Sequence, residues 1–164
     1  MKNISNTEID SLVKRAIELS NDAYAPYSNF HVASILMSSD GEEFKGINIE
    51  NKSFPAGTCA ERSAIYSAVI KGKKKFDYII IASKDADEPL PPCGECRQVM
   101  SEFFDFDTLI VMSNSKGQYI KAQNSGFVLE GNLQIILLPV SACTKINHDG
   151  IHVSQISNFF FKKV

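Results

Sequence analysis

The stretch TCAERSAI, Thr58 to Ile65, places a thiol, an acid and a base side by side: Cys59, Glu61 and Arg62. A second stretch, PPCGECRQ from Pro91 to Gln98, adds Cys93 and Cys96 as C-x-x-C, followed by Arg97. C-x-x-C at the start of a helix is a good half-site for zinc, because N–H groups at a helix N-terminus favour negative charge and keep thiolates ionised. Two thiolates leave a tetrahedral ion short of ligands, and Cys59, also near a helix start, can supply the third. Three protein ligands with a fourth position open mark a catalytic zinc rather than a structural one. Glu61 at its offset from Cys59 can lie near the metal without binding it, and a carboxylate there can take a proton from water and later return it. Three thiolates on a divalent ion leave an excess of negative charge. Arg62 can hydrogen-bond the thiolates and restore electrophilicity, and Arg97 is a weaker candidate for the same work.

Each of these residues also has a plainer reading. Glu61 alone would be a first-turn acid complementing the helix dipole. His31, His148 and His152 read as surface or hydrogen-bonded core residues, and none is an obvious fourth ligand. KGKKK, Lys71 to Lys75, reads as a solvated helix end whose cations favour the negative pole. Cys143 stands apart from the other three cysteines, so the spacing points to a metal and not to a disulfide framework.

The elements that must hold these groups can be read from the pattern. The chain has 164 residues, 44% hydrophobic and 22% charged, with a formal net charge of −2. These values predict a single globular domain over residues 1–164 with no broad affinity for nucleic acid or for an anionic membrane. No apolar run approaches the ~20 residues that span a bilayer, and MKNISNTEID lacks the apolar core of a signal peptide, so a cytoplasmic location is expected. Ser5 and Glu8 form a capping-box pattern ahead of Ile9, Leu12, Val13, Ala16 and Leu19 at helical spacing. HVASILMS, EFKGINI, YIIIAS, TLIVMS and LQIILLP read as strands, with SSDG as a hairpin turn, NSKGQ as a second turn and YIIIAS as a buried central strand. Helices are predicted over Cys59–Lys71, capped by Thr58 and stopped by Gly72, and over Gly94–Phe104. Strands alternating with helices argue for an α/β layered domain.

Together the two cysteine motifs resemble those of the zinc-dependent nucleoside deaminases. The all-cysteine C-A-E form is similar to free cytidine deaminase. AYAPYSNFHV, GINIENKSFPAGTCAER and PPCGECRQVMSEF each resemble that family's motifs and occur in its order. The resemblance implies a three-layer α/β/α sandwich around a mixed sheet and one Zn²⁺ per chain on Cys59, Cys93 and Cys96. It implies hydrolytic deamination of cytidine and 2′-deoxycytidine, with Glu61 passing a proton to ring N3 and then to the departing amine. It assigns Phe30 to the pyrimidine pocket and Asn48 and Glu50 to the ribose, and it places Ala60 among the substrate-contacting residues. It also implies a homotetramer whose pockets are shared between chains.

The chain departs from the family pattern at several places: Ala33 in place of a usual glycine, Lys52 near the ribose end, and Ala142 where an aromatic residue usually closes a neighbour's pocket. The tail, residues 145–164, has no counterpart, and its Phe159–Phe161 run could reach a neighbouring chain. Two other readings follow from these features. One is an aminohydrolase of another small nucleoside-like substrate, such as a nucleoside antibiotic. The other is a zinc-stabilised binding module, which would need a fourth protein ligand and has no use for Glu61.

Overall fold

Helix α1, Asn6–Leu19, begins where Ser5 Oγ accepts the N–H of Glu8 at 3.2 Å, as the capping pattern predicts. The structure is a computed structural model and describes residues 4–126. The remaining elements are β1 (Val32–Ser38), β2 (Glu43–Ile47), α2 (Ala60–Ile70), β3 (Phe76–Ser83), α3 (Gly94–Phe103), β4 (Leu109–Ser113) and β5 (Tyr119–Gln123). The five strands form one mixed sheet in the order β2-β1-β3-β4-β5. β3 and β4 run parallel, joined by a crossover through α3, and every other pair is antiparallel.

The layering follows from the alternation of side chains along the strands. In β3, Ile79 and Ile81 pack with Ala64, Ile65 and Ala68 of α2 and Met100 of α3. Tyr78, Ile80 and Ala82 of the same strand pack with Ile9, Leu12, Val13 and Ala16 of α1. Ile79, Ile80 and Ile81 are all fully buried, which requires cover on both faces. The result is the three-layer α/β/α sandwich, with α1 on one side and α2 and α3 on the other.

Three local expectations need correction or completion. The SSDG hairpin forms, but only Gly41 takes a positive φ, at 90°. The loop is four residues long, and Ser38 Oγ accepts the N–H of Glu42 at 3.0 Å while donating to Asp40. The side-chain network thus replaces the second positive-φ residue that a two-residue turn would need. The N-cap of α2 is Cys59, not Thr58, because Thr58 is still paired as extended chain with Ile49. NSKGQ makes its turn, but the chain then returns at once as β5, a short strand of mixed polarity that periodicity does not reveal. The expected strand LQIILLP lies outside the described residues, as do Ala142, Cys143, His148, His152 and the tail.

Gly46 sets the position of α2. A Cβ there would lie 2.1 Å from the carbonyl oxygen of Ala60 and 2.5 Å from the nitrogen of Ala64, both backbone atoms of α2. The first turn of the helix therefore rests directly on β2. Gly46→Ala is expected to destabilise the protein by about 1–3 kcal/mol, the usual cost of forcing atoms into a packed region. Because the turn that must lift carries Cys59, zinc affinity should fall with it. Thermal denaturation and a zinc titration measure the two effects, and an unchanged variant would show that α2 has room to spare.

Candidate metal centre and active site

Two helix starts face each other across the site. Cys59 is the N-cap of α2 and Cys93 is the N-cap of α3, where its Sγ accepts the N–H of Cys96 at 3.4 Å. Cys59 makes no side-chain cap within its own helix. Its Sγ instead lies 3.9 Å from that of Cys93. The sulfurs of Cys59, Cys93 and Cys96 all lie within 4.8 Å of one another, and each cysteine is free. A disulfide would need about 2.05 Å. Two thiolates each ~2.3 Å from a tetrahedral ion sit roughly 3.8 Å apart. The spacing is therefore that of metal ligands, and the soft donor set suits zinc.

The electrostatics agree. Cys93 is held well below the ordinary thiol range because the thiols of Cys59 and Cys96 and the N–H groups of α3 all donate to it. Cys59 and Cys96 are pushed up, since each donates toward the thiolate beside it and further negative charge in so small a space is repelled. Without a cation the cluster accommodates one thiolate, whereas a divalent ion lets all three ionise.

Glu61 is buried in the first turn of α2, with 5% of its surface exposed. Desolvation raises its carboxyl to about 6, and the Cys93 thiolate adds to the rise. In the metal-free protein this has a consequence for stability. Below about pH 4.5 both the folded and the unfolded chain hold the proton, and the fold carries no penalty. As pH rises to about 6 the unfolded chain ionises first, so the fold loses about 2 kcal/mol across that window and then levels off. Metal-free Glu61→Gln should therefore match the wild type below the window and exceed it above. Melting temperatures of both proteins as a function of pH check this, and a constant difference would refute it.

Arg62 bridges the two helices. One guanidinium nitrogen lies 3.8 Å from Cys59 Sγ and another 2.8 Å from Glu95 of α3. Burial works against its charge, but the Cys59 sulfur and the Glu95 carboxylate outweigh burial and keep it protonated. The Glu95 partnership is not legible in sequence, because it spans the two motifs. Arg97, next to Cys96, is half-buried in the first turn of α3.

Phe30, Asn48 and Glu50 form a second group. Asn48 Nδ2 donates to the carbonyl of Phe30 at 2.9 Å, and its Oδ1 accepts the N–H of Val32 at 2.8 Å. Glu50 accepts the N–H groups of Tyr27 at 2.9 Å and Ser28 at 3.2 Å, together with the Ser28 hydroxyl. The Ser28 hydroxyl and then the Tyr27 N–H hold its carboxyl below the usual carboxylate range. Both side chains thus fasten the loop that carries Phe30. Ile49, between them, exchanges backbone hydrogen bonds with Thr58 at 2.9 Å each way. That pairing brings the second group against the segment entering Cys59. Ala60 is fully buried against the sheet at Gly46.

A family model described as the cytidine and deoxycytidylate deaminase zinc-binding region matches residues 6–113. The chain belongs to that family. The match spans both cysteine motifs and the loop of Phe30. Among relatives, the cytidine deaminase of Halalkalibacterium halodurans is 42% identical over 106 residues, covering 65% of this chain and 80% of that protein. The cytidine deaminase of Sporosarcina psychrophila is 36% identical over 110 residues, covering 67% and 80%. The crystal structure of cytidine deaminase from Burkholderia pseudomallei superposes with a TM-score of 0.71 at 33% identity, covering 79% of this chain and all of that one. For a member of this zinc-binding family, the three-thiol cluster is the place where the described residues can hold one ion.

Proposed function

We propose that this protein hydrolytically deaminates cytidine and 2′-deoxycytidine, giving uridine or 2′-deoxyuridine and ammonia. The observation that carries the reading is the three-sulfur cluster at metal-ligand spacing with a buried carboxyl directly beside it. A bound zinc supplies Lewis acidity that makes water nucleophilic near neutral pH. Glu61 does the proton work. It takes a proton from the attacking water and delivers it to ring N3 as oxygen adds at C4. It then takes the second proton from the C4 hydroxyl and gives it to the amino group as the C4–N bond breaks and C4=O forms. A buried carboxyl held in the first turn of α2, two residues from Cys59, is placed for both acceptance and return. Arg62 draws electron density from Cys59, and the neighbouring Glu95 fixes its orientation.

Substrate residues follow the same reading. Phe30 offers an aromatic wall for the pyrimidine. Asn48 and Glu50, partly exposed, keep lone pairs and an N–H free beyond the bonds that hold the loop, and these suit sugar hydroxyls. Tyr24, Ile49 and Phe54 are exposed by 56, 44 and 77% beside this pocket, which favours cover by a second copy of the chain. A homotetramer with shared pockets, in the cytoplasm, is the assembly we infer. Among the described residues no helix is long and apolar enough to cross a membrane.

The test is ultraviolet monitoring of zinc-loaded protein with cytidine, 2′-deoxycytidine, cytosine and adenosine, with light scattering for the assembly. Turnover of the first two with little on the others is expected. No turnover of either cytosine nucleoside by protein holding about one zinc per chain would overturn the reading.

A further inference from the structure

At Phe30 the backbone leaves the sheet, and side chains take over its hydrogen bonding. β1 begins only at Val32. The N–H of Phe30 goes to Ser28 Oγ at 3.0 Å and its carbonyl to Asn48 Nδ2 at 2.9 Å. The N–H of His31 goes to Asp85 Oδ2 at 2.7 Å, and the N–H of Val32 to Asn48 Oδ1 at 2.8 Å. The position of Phe30 is therefore set by three side chains from separate segments. Ser28 is itself held by Glu50, and Asn48 and Glu50 tie the loop to the segment that enters Cys59. Asp85 ties it elsewhere, to residues 84–92, which run into Cys93.

The Asp85 tie is double. The same Oδ2 that accepts the His31 N–H is 2.7 Å from His31 Nδ1. An ionised carboxylate only accepts, so Nδ1 carries the proton and donates. Asp85 is in turn anchored: its N–H goes to Ser83 Oγ at 3.1 Å, and the next residue's carbonyl accepts from Ser115 at 2.8 Å. Neither side chain is fully buried, with 23 and 31% exposed. Water can replace the bonds if they are lost, so the fold depends on them little, but water does not fix the spacing between the two segments as the direct bonds do.

We propose that Asp85 is a positioning residue for substrate binding. Through His31 it fixes the Phe30 wall relative to the Cys93 end of the reacting centre. The proposal rests on the reading of Phe30 as the pyrimidine wall. It assigns a role to Asp85, outside the sequence motifs, and to His31, the neighbour of Phe30 within AYAPYSNFHV. The effect should fall on binding rather than on chemistry, since neither touches the cysteines or Glu61.

Zinc-loaded Asp85→Ala, Asp85→Asn, His31→Asn and Phe30→Ala should be compared with wild type by steady-state kinetics on cytidine, by uridine binding in a calorimeter, and by melting temperature. Small misplacements in a site cost up to about 10²-fold, and Asp85→Ala is expected to raise KM and the uridine Kd about tenfold. Its kcat should stay within about threefold, with unchanged zinc content and a near-normal melting temperature. Asp85→Asn keeps an accepting oxygen and His31→Asn keeps a donor near the Nδ1 position, so both should recover most of the affinity. Phe30→Ala should weaken uridine binding whatever the fate of Asp85. If Phe30→Ala weakens binding and Asp85→Ala does not, the proposal fails alone. If Phe30→Ala has no effect, the pocket reading fails and takes the proposal with it. If Asp85→Ala lowers kcat and melting temperature together and Asp85→Asn restores neither, Asp85 is merely structural and the proposal is overturned.

Discussion

Glu61→Gln should lower kcat on cytidine by at least about 10²–10⁴-fold, the range that a positioned general acid–base supplies. Several proton movements pass through the one carboxyl in the proposed reaction, so the upper part of that range is expected. The amide matches the carboxyl in size and cannot cycle a proton. Its fold should be retained, because α2 rests on Gly46 and on the Ile65 and Ala68 face, none of which involves the Glu61 carboxyl. Zinc should remain at about one per chain, because Glu61 is not one of the three clustered donors. The decisive measurement is kcat on samples of verified zinc content. Near-normal turnover would remove Glu61 from the mechanism, and loss of zinc would make it a ligand.

Cys96→Ser should abolish activity by a different route. Cys96 is the fully buried member of the cluster, and its sulfur has no solvent to replace it. Serine is nearly isosteric, but its hydroxyl does not ionise near neutral pH and is a poor ligand for zinc. The remaining pair, Cys59 and Cys93, cannot hold the ion in a three-ligand site. Zinc per chain should fall far below one, and the thiolate absorption of a cobalt-substituted sample should weaken with it. Folding should survive better than function, since α2 and α3 pack on the sheet through Ala64, Ile65, Ala68 and Met100 rather than through the sulfurs. Cys143→Ser is the control and should retain both zinc and activity. Full zinc occupancy in Cys96→Ser would show that the ligand set is wrong.

Cys96 and Glu61 differ in how far the sequence alone reveals them. The donor set for Cys96 needs only spacing: C-x-x-C at a helix start confines two sulfurs to one turn, whatever lies elsewhere. The role of Glu61 needs burial as well, because an exposed first-turn glutamate would titrate in the ordinary range and merely complement the dipole. Glu61 has that burial in the first turn of α2, on the α2/α3 side of the sheet.

Local pattern alone determined the C-x-x-C half-site of Cys93 and Cys96, helix α1 and its Ser5 cap, and the central strand around Ile79–Ile81, whereas the sheet brings Cys59 to that half-site. Helical spacing, caps and continuous apolar runs act within a few residues, where the chain has little choice. Only the tertiary structure decided that Cys59 and not Thr58 caps α2, since the Ile49 pairing keeps Thr58 extended. It alone decided the short strand β5, which is stabilised by pairing with β4 and not by its own composition. It also decided the contacts that aim the site: Gly46 beneath Ala60, Glu95 on Arg62, and Asp85 on His31. Each joins segments brought together by the sheet, and a one-dimensional pattern carries no signal for a contact that depends on where two distant segments come to lie.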